Sequence, residues 1–191
     1  MIAFARHGQT VVNREGRLQG RIDAPLSDVG VEQAEALGRA FAREQVMRVV
    51  SSPLERARAT AHAIAAKHGL GVEVDDRLIE LDYGAWDGVR LGDVRAEDWA
   101  EWRSDPNFTP PGGESLVAVT ARVRSFVADV LGDELVVAVS HVSPIKAAVC
   151  DALDVDEHVT WRMQLGLASV TRVGRRPGGG TYLLSFNESV T

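Results

Sequence analysis

The octet RHGQTVVN, residues 6–13, places a histidine between an arginine and a glycine directly after the apolar opening MIAFA. That arrangement suits nucleophilic attack on phosphorus. Arg6 offers a rigid fork of donors matched to phosphate oxygens, His7 an imidazole nitrogen, and Gly8 a backbone that a ligand can approach closely. Thr10 and Asn13 add neutral donors nearby. Alone, the octet reads either as an anion site or as a structural turn. Three residues elsewhere could complete it, each with a plainer alternative. Arg56 in SSPLERARAT lies near a predicted helix start, where unpaired N–H groups also favour an anion, or it is an ordinary solvated arginine. Glu80 in IELDYGAWDG is a carboxylate in a glycine-punctuated stretch, or a surface glutamate. His141 in VAVSHVSPIK is a site residue or a satisfied structural histidine.

The elements that must position these residues are legible from pattern. Residues 1–5 are too short for the apolar core of a signal peptide and read as a buried strand that delivers Arg6 and His7 at its C-terminal end, where sites gather in open α/β sheets. Residues 26–44 predict a helix with Ser27 as N-cap and Val31, Ala34, Leu37, Ala40 and Phe41 on one face. Residues 46–50 predict a buried strand. The spacing Ser52-Pro53-Leu54-Glu55 satisfies a capping box with proline at the first helical position, so a helix is expected over 53–68. A short strand follows at 72–74, a helix at 116–131, and a central strand at 135–140 with His141 at its end. The next helix is expected to begin at Ser143-Pro144. Residues 167–173 and 181–186 predict a hairpin across RRPGGG. Two of only five histidines thus follow hydrophobic strands in the same way. The alternation of strands and helices implies a three-layer α/β/α sandwich around a mixed, mostly parallel sheet, with residues 1–191 as one domain. A short cap insertion is expected at about 85–113.

Composition narrows the partners. The 191 residues are 45% hydrophobic and carry 21 Lys plus Arg against 27 Asp plus Glu, a formal charge of −6. Nucleic acid and anionic membrane usually require a basic footprint, so neither is expected as a partner, and no apolar stretch reaches spanning length. A phosphate substrate would depend on local arginines to overcome the global field. The single cysteine, Cys150, excludes an internal disulfide, fits a cytoplasmic location, and in KAAVCDAL reads as a buried helical thiol rather than a nucleophile. No interface signal separates monomer from homodimer.

Transfer of a phosphoryl group to a neutral imidazole needs an in-line nucleophile, positive charge on the equatorial oxygens and a proton for the leaving alkoxide. His7 can attack, Arg6, Arg56 and His141 can form the clamp, and Glu80 can supply the proton, with His141 acting as a donor and not as a second nucleophile. In order along the chain, RHGQTVVN, SSPLERARAT, ELDYGAWDG, PPGGES and SHVSPIKA resemble the motifs of the histidine phosphatase superfamily, whose fold is that of cofactor-dependent phosphoglycerate mutase. The resemblance covers residues 2 to about 150. It implies that His7 is the phosphorylated nucleophile, that Glu80 is the general acid that later activates water, and that Arg6, Asn13, Arg56 and His141 hold the phosphate. Thr10 and Gln19 would be further contacts. It also implies that no metal and no cofactor is required.

Many members follow the second histidine with glycine, whereas this chain has Val142, which keeps a backbone N–H but thickens the pocket wall. The variant resembles the small bacterial phosphatase branch of α-ribazole phosphatase-like and broad acid phosphatases. Mutases of the superfamily typically carry extra basic segments that close over a bisphosphate, while the cap here is short and acidic. Hydrolysis of a small phosphorylated metabolite is therefore expected over mutase transfer or a non-catalytic phosphate-ligand or protein-binding module. Trp86, Trp99, Trp102 and Phe108 would grip the leaving group, or simply pack the cap onto the body.

Overall fold

A computed structural model describes residues 1–190. In chain order the elements are β1 (Ile2–Arg6), α1 (Val11–Arg14), α2 (Asp28–Phe41), β2 (Val46–Ser51), α3 (Glu55–Ala65), β3 (Val72–Val74), α4 (Ala96–Ser104), α5 (Leu116–Val130), β4 (Leu135–Ser140), α6 (Val142–Leu153), β5 (Ser169–Arg175) and β6 (Thr181–Ser189). Short 3-10 turns lie at Asp76–Leu78, Gly84–Trp86, Leu91–Asp93 and Glu157–Arg162. The sheet order is β3-β2-β4-β1-β5-β6, with β1 to β4 mutually parallel and the β5–β6 hairpin added antiparallel beside β1. No helix among the described residues is long and apolar enough to cross a membrane.

Period-two alternation in the central strands separates two cores. On β1, Ile2 and Phe4 face one side while Ala3 and Ala5 face the other; on β4, Val136 and Ala138 oppose Val137 and Val139 in the same way. The first face packs beneath α5 and α6, where Phe4 meets Phe126 with ring centroids 6.3 Å apart. The second packs beneath α2 and α3 through Leu37, Phe41, Ala57, Ala61 and Ile64. This is the three-layer α/β/α sandwich around a mixed, mostly parallel sheet that the alternation of elements implied.

Three local expectations shift. Ser27 caps α2 by accepting from the Gly30 N–H at 3.2 Å, but the buried face is Gly30, Ala34, Leu37, Gly38 and Phe41, with Val31 and Ala40 exposed. The two glycines set that rotation, since a side chain at Gly30 would meet the Gln9 carbonyl and one at Gly38 the Ala63 carbonyl. The helix expected at 53–68 begins instead at Glu55, with Leu54 at the N-cap and no side-chain cap. Asp23 accepts from the Glu55 N–H at 2.6 Å, and Ser52 is engaged elsewhere. Finally, α6 starts at Val142 with His141 at its N-cap, two residues before Pro144, because Glu80 binds the first N–H groups of that helix. The RRPGGG turn closes the expected hairpin, with Gly178, Gly179 and Gly180 all at positive φ. Cys150 is buried on α6, and burial pushes its thiol up to about 11.

Candidate active site

Because β1 and β4 are parallel neighbours with Arg6 in register with Ser140, the residues that follow them emerge side by side. His7 and His141 have ring centroids 5.0 Å apart. On the other flank of β4, β2 ends at Ser51 and the following turn brings Arg56 in from the second position of α3.

Arg56 joins the two histidines. It is 1% exposed, and its Nε–H is shared between His7 Nε2 and His141 Nδ1 at 3.2 Å from each. Its terminal nitrogens donate to the carbonyls of Ile22 at 2.8 Å and Gly20 at 2.7 Å. Each terminal nitrogen carries a second N–H beyond the one given to its carbonyl. Arg58 is exposed, as its two-residue offset required. Arg6 donates to the Leu165 carbonyl at 2.6 Å, and its Nε is buried without a partner among the described residues.

Hydrogen bonding fixes the imidazole tautomers. His7 Nδ1 lies 2.7 Å from the Gly8 carbonyl, which can only accept, so Nδ1 carries the proton and Nε2 keeps its lone pair. At His141, Nδ1 accepts from Arg56, so Nε2 donates to Ser52 Oγ at 2.7 Å. Burial, then Arg56 and Arg6, hold His7 well below its ordinary value, against a smaller opposing pull from the Gly8 carbonyl. Burial, then Arg56, His7, Arg6 and Arg122, do the same to His141. Burial also lowers Arg56 to about 10, with Glu80, Asp23 and Tyr83 opposing.

These shifts carry a stability consequence. Both imidazoles are neutral in the fold, while the unfolded chain takes up protons at them below pH 6.5, the ordinary value. Stability is therefore full above that pH and falls as pH drops towards the depressed folded values, by up to about 1.4 kcal/mol per pH unit for each histidine. Denaturant unfolding of His141→Asn is expected to show a flatter decline between pH 6.5 and 5 than the wild type. Parallel curves would contradict buried, neutral His141.

Glu80, 5% exposed, lies in the loop between the turns at Asp76–Leu78 and Gly84–Trp86. Its Oε1 accepts from the Leu81 N–H at 2.8 Å and the Ser143 N–H at 3.1 Å, and its Oε2 from the Val142 N–H at 3.1 Å. The backbone donor that Val142 retains is thus engaged with Glu80. Arg6, His7, Asn13, Gln19, Arg56 and Glu80 together line a cavity of about 100 Å³, whose wall also includes Arg17, Leu18, Gly20, Tyr83 and Val142. His141 is fully buried behind it.

Other expected contacts have structural roles. Thr10 is fully buried and caps α1 reciprocally with Asn13; its hydroxyl donates to Gln19 Oε1 at 2.7 Å. Gly8 is required for packing, because a side chain there would strike the Gly30 carbonyl of α2. A second cavity of about 170 Å³ adjoins the first and shares Leu18, Tyr83 and Val142 with it. Trp99 and Trp102 line it, but Trp86 and Phe108 do not; those two stack on each other with centroids 5.9 Å apart and pack against the core. Trp161 and Lys146 also line this cavity; Trp161 lies outside every motif, and Lys146, although inside SHVSPIKA, was not singled out as a contact. Ser52 was hidden by its capping-box spacing, although its place after a buried strand was the available signal.

The histidine phosphatase superfamily (branch 1) model matches residues 2–188. Phosphoserine phosphatase 1 of Hydrogenobacter thermophilus is 37% identical over 167 residues, 84% of this chain and 79% of that protein. A mycobacterial glucosyl-3-phosphoglycerate phosphatase, solved in complex with VO3, is 33% identical, with a TM-score of 0.90 over 98% of this chain and 99% of that one. A putative α-ribazole-5'-P phosphatase from Escherichia coli shares the fold at a TM-score of 0.85 and 24% identity, over 98% and 95% of the two chains. The chain spans about half the length of the curated relatives it matches at 41% identity. From the motif order, the sheet topology and a family match spanning nearly all of its length, the chain belongs to branch 1 of the histidine phosphatase superfamily.

Proposed function

We propose that the chain is a metal-independent phosphomonoester hydrolase that works through a phosphohistidine on Nε2 of His7, acting on a small phosphorylated metabolite. The observation that carries this reading is the His7 tautomer: with Nδ1–H held by the Gly8 carbonyl, Nε2 keeps the lone pair, which accepts from the Arg56 Nε–H and is freed to attack when that N–H turns to a phosphoryl oxygen. In the first step Nε2 attacks phosphorus and the bond to the leaving oxygen breaks, with Glu80 giving that oxygen a proton. In the second, Glu80 takes a proton from water as the water oxygen attacks phosphorus and the N–P bond breaks. Arg6 and Arg56 supply the positive charge for the phosphoryl oxygens, and the Ile22 and Gly20 carbonyls hold the terminal nitrogens of Arg56 in place.

His141 enters through Ser52. In its other neutral tautomer His141 carries its single ring proton on Nδ1, which donates to a phosphate oxygen, while Nε2 accepts the Ser52 hydroxyl hydrogen. The relatives named as phosphoserine and glucosyl-3-phosphoglycerate phosphatases support hydrolysis of small phosphate esters here as well. Residues 85–113 serve as a cap over the alcohol side of the site.

Glu80→Gln tests the division of labour. With alkyl phosphates, whose leaving oxygen needs a proton, kcat is expected to fall about 10²- to 10³-fold. With p-nitrophenyl phosphate the first step should be spared and the loss confined to hydrolysis of the intermediate, visible as a burst of nitrophenol. Equal turnover by the variant and the wild type on both substrates would remove Glu80 from the reaction.

A further inference from the structure

The cavity beside the phosphate pocket contains polar groups that the protein leaves incompletely matched. Lys146 on α6 is half-buried; its Nζ donates to the Thr160 carbonyl at 3.0 Å, and no carboxylate is among the residues lining the cavity. Burial lowers its proton affinity, with Glu80 opposing. Trp102 lines the same cavity, is 3% exposed, and its indole N–H has no acceptor among the described residues. Buried donors are normally paired, and an ammonium against apolar walls is costly without a counter-charge. The walls themselves are aromatic: Trp99 and Trp102 stack with centroids 5.5 Å apart, and Trp161 meets Trp102 edge-on at 5.0 Å. Arg103 covers the Trp99 and Trp161 rings at 5.6 and 5.9 Å, adding a second cation to the cluster.

Resting on the phosphatase reading, we propose that this cavity receives the alcohol portion of the substrate, and that the substrates are monophosphate esters of compact, largely apolar or aromatic alcohols bearing a carboxylate that Lys146 binds. The shared walls Leu18, Tyr83 and Val142 allow one ester to occupy both cavities, with phosphate beside His7 and the carboxylate beside Lys146. At about 170 Å³ the cavity suits a group of one ring's size. Lys146 and the aromatic walls are thereby specificity-determining residues.

The test compares 4-carboxyphenyl phosphate with its neutral counterpart, 4-carbamoylphenyl phosphate, in the wild type, Lys146→Met and Lys146→Gln. The wild type is expected to prefer the carboxylate in kcat/KM by about tenfold or more, the factor a charge-assisted hydrogen bond commonly supplies, and both variants should lose most of that preference. Comparing the two esters within each variant separates recognition from general damage, and two replacements guard against one that fails to fold. All four tryptophans lie in or against this cluster, so quenching of intrinsic fluorescence by 4-hydroxybenzoate reads the cavity without turnover. Quenching weakened about tenfold in Lys146→Met would support the site. A wild type indifferent to the carboxylate, or variants that keep the preference, would overturn it while leaving hydrolysis intact. No hydrolysis of any ester, with Lys146-dependent quenching preserved, would instead overturn the phosphatase reading and support the carboxylate site.

Discussion

His7→Ala is expected to lower kcat/KM for every phosphomonoester by about 10⁴-fold or more, because removing a covalent nucleophile removes both half-reactions at once. No second nitrogen is arranged to replace it. His141 is fully buried, does not line the phosphate cavity, and has its Nδ1 hydrogen-bonded to Arg56 and its Nε2 to Ser52. The fold should tolerate the change, since the His7 ring makes its hydrogen bonds to the Gly8 carbonyl and Arg56, and the latter keeps its other partners. Phosphate release by purified His7→Ala, with circular dichroism and denaturant unfolding to establish the folded state, checks this. Activity within tenfold of the wild type would move the nucleophile elsewhere.

Substitution of Arg56 should damage activity and stability together, and the two losses can be separated. Lysine keeps a charge but cannot donate at once to both histidines and to the Gly20 and Ile22 carbonyls. Arg56→Lys is therefore expected to lose about 10³-fold in kcat/KM, the scale of removing a preorganised donor from a developing anion. Arg56→Met keeps much of the volume but leaves the buried Gly20 carbonyl without its donor, at a cost of about 1–3 kcal/mol, whereas the Ile22 carbonyl keeps the Ala24 N–H at 3.1 Å; relief of the buried charge offsets part of the loss. A steep loss of activity in both variants, with the larger loss of unfolding free energy in Arg56→Met, is the expected pattern. Near wild-type kcat/KM in Arg56→Lys would mean that a point charge suffices and that the fork has no special role.

The residues gathered at the phosphate cavity were legible because strand ends and motif chemistry are local signals. Apolar runs before Arg6 and before His141 marked β1 and β4, and parallel pairing of those strands brings the two histidines to one edge. Arg56 and Glu80 carried recognisable surroundings and also arrive there. What stayed hidden depended on competition between partners distant in sequence. Ser52 had the right spacing to cap α3, yet its hydroxyl serves His141, 89 residues away, and Asp23 takes over at the helix start. The buried face of α2 turned on the Gly8–Gly30 and Gly38–Ala63 backbone approaches, which apolar periodicity cannot register. Trp161 and Lys146 meet Trp99 and Trp102 only because the Glu157–Arg162 turn packs against both α6 and α4. Trp86 and Phe108, by contrast, sit close to those rings in sequence and in space but pack away from the cavity.

The most direct measurement is capture of the covalent intermediate. The wild type, Glu80→Gln and His7→Ala would be mixed briefly with a ³²P-labelled aryl phosphate, denatured in alkali, and analysed for protein-bound label and its stability to acid. Alkali-stable, acid-labile label on the wild type, accumulating further in Glu80→Gln and absent from His7→Ala, is the expected result. Turnover by the wild type with no protein-bound label at any quench time, or label that persists in His7→Ala, would contradict a phosphohistidine at residue 7.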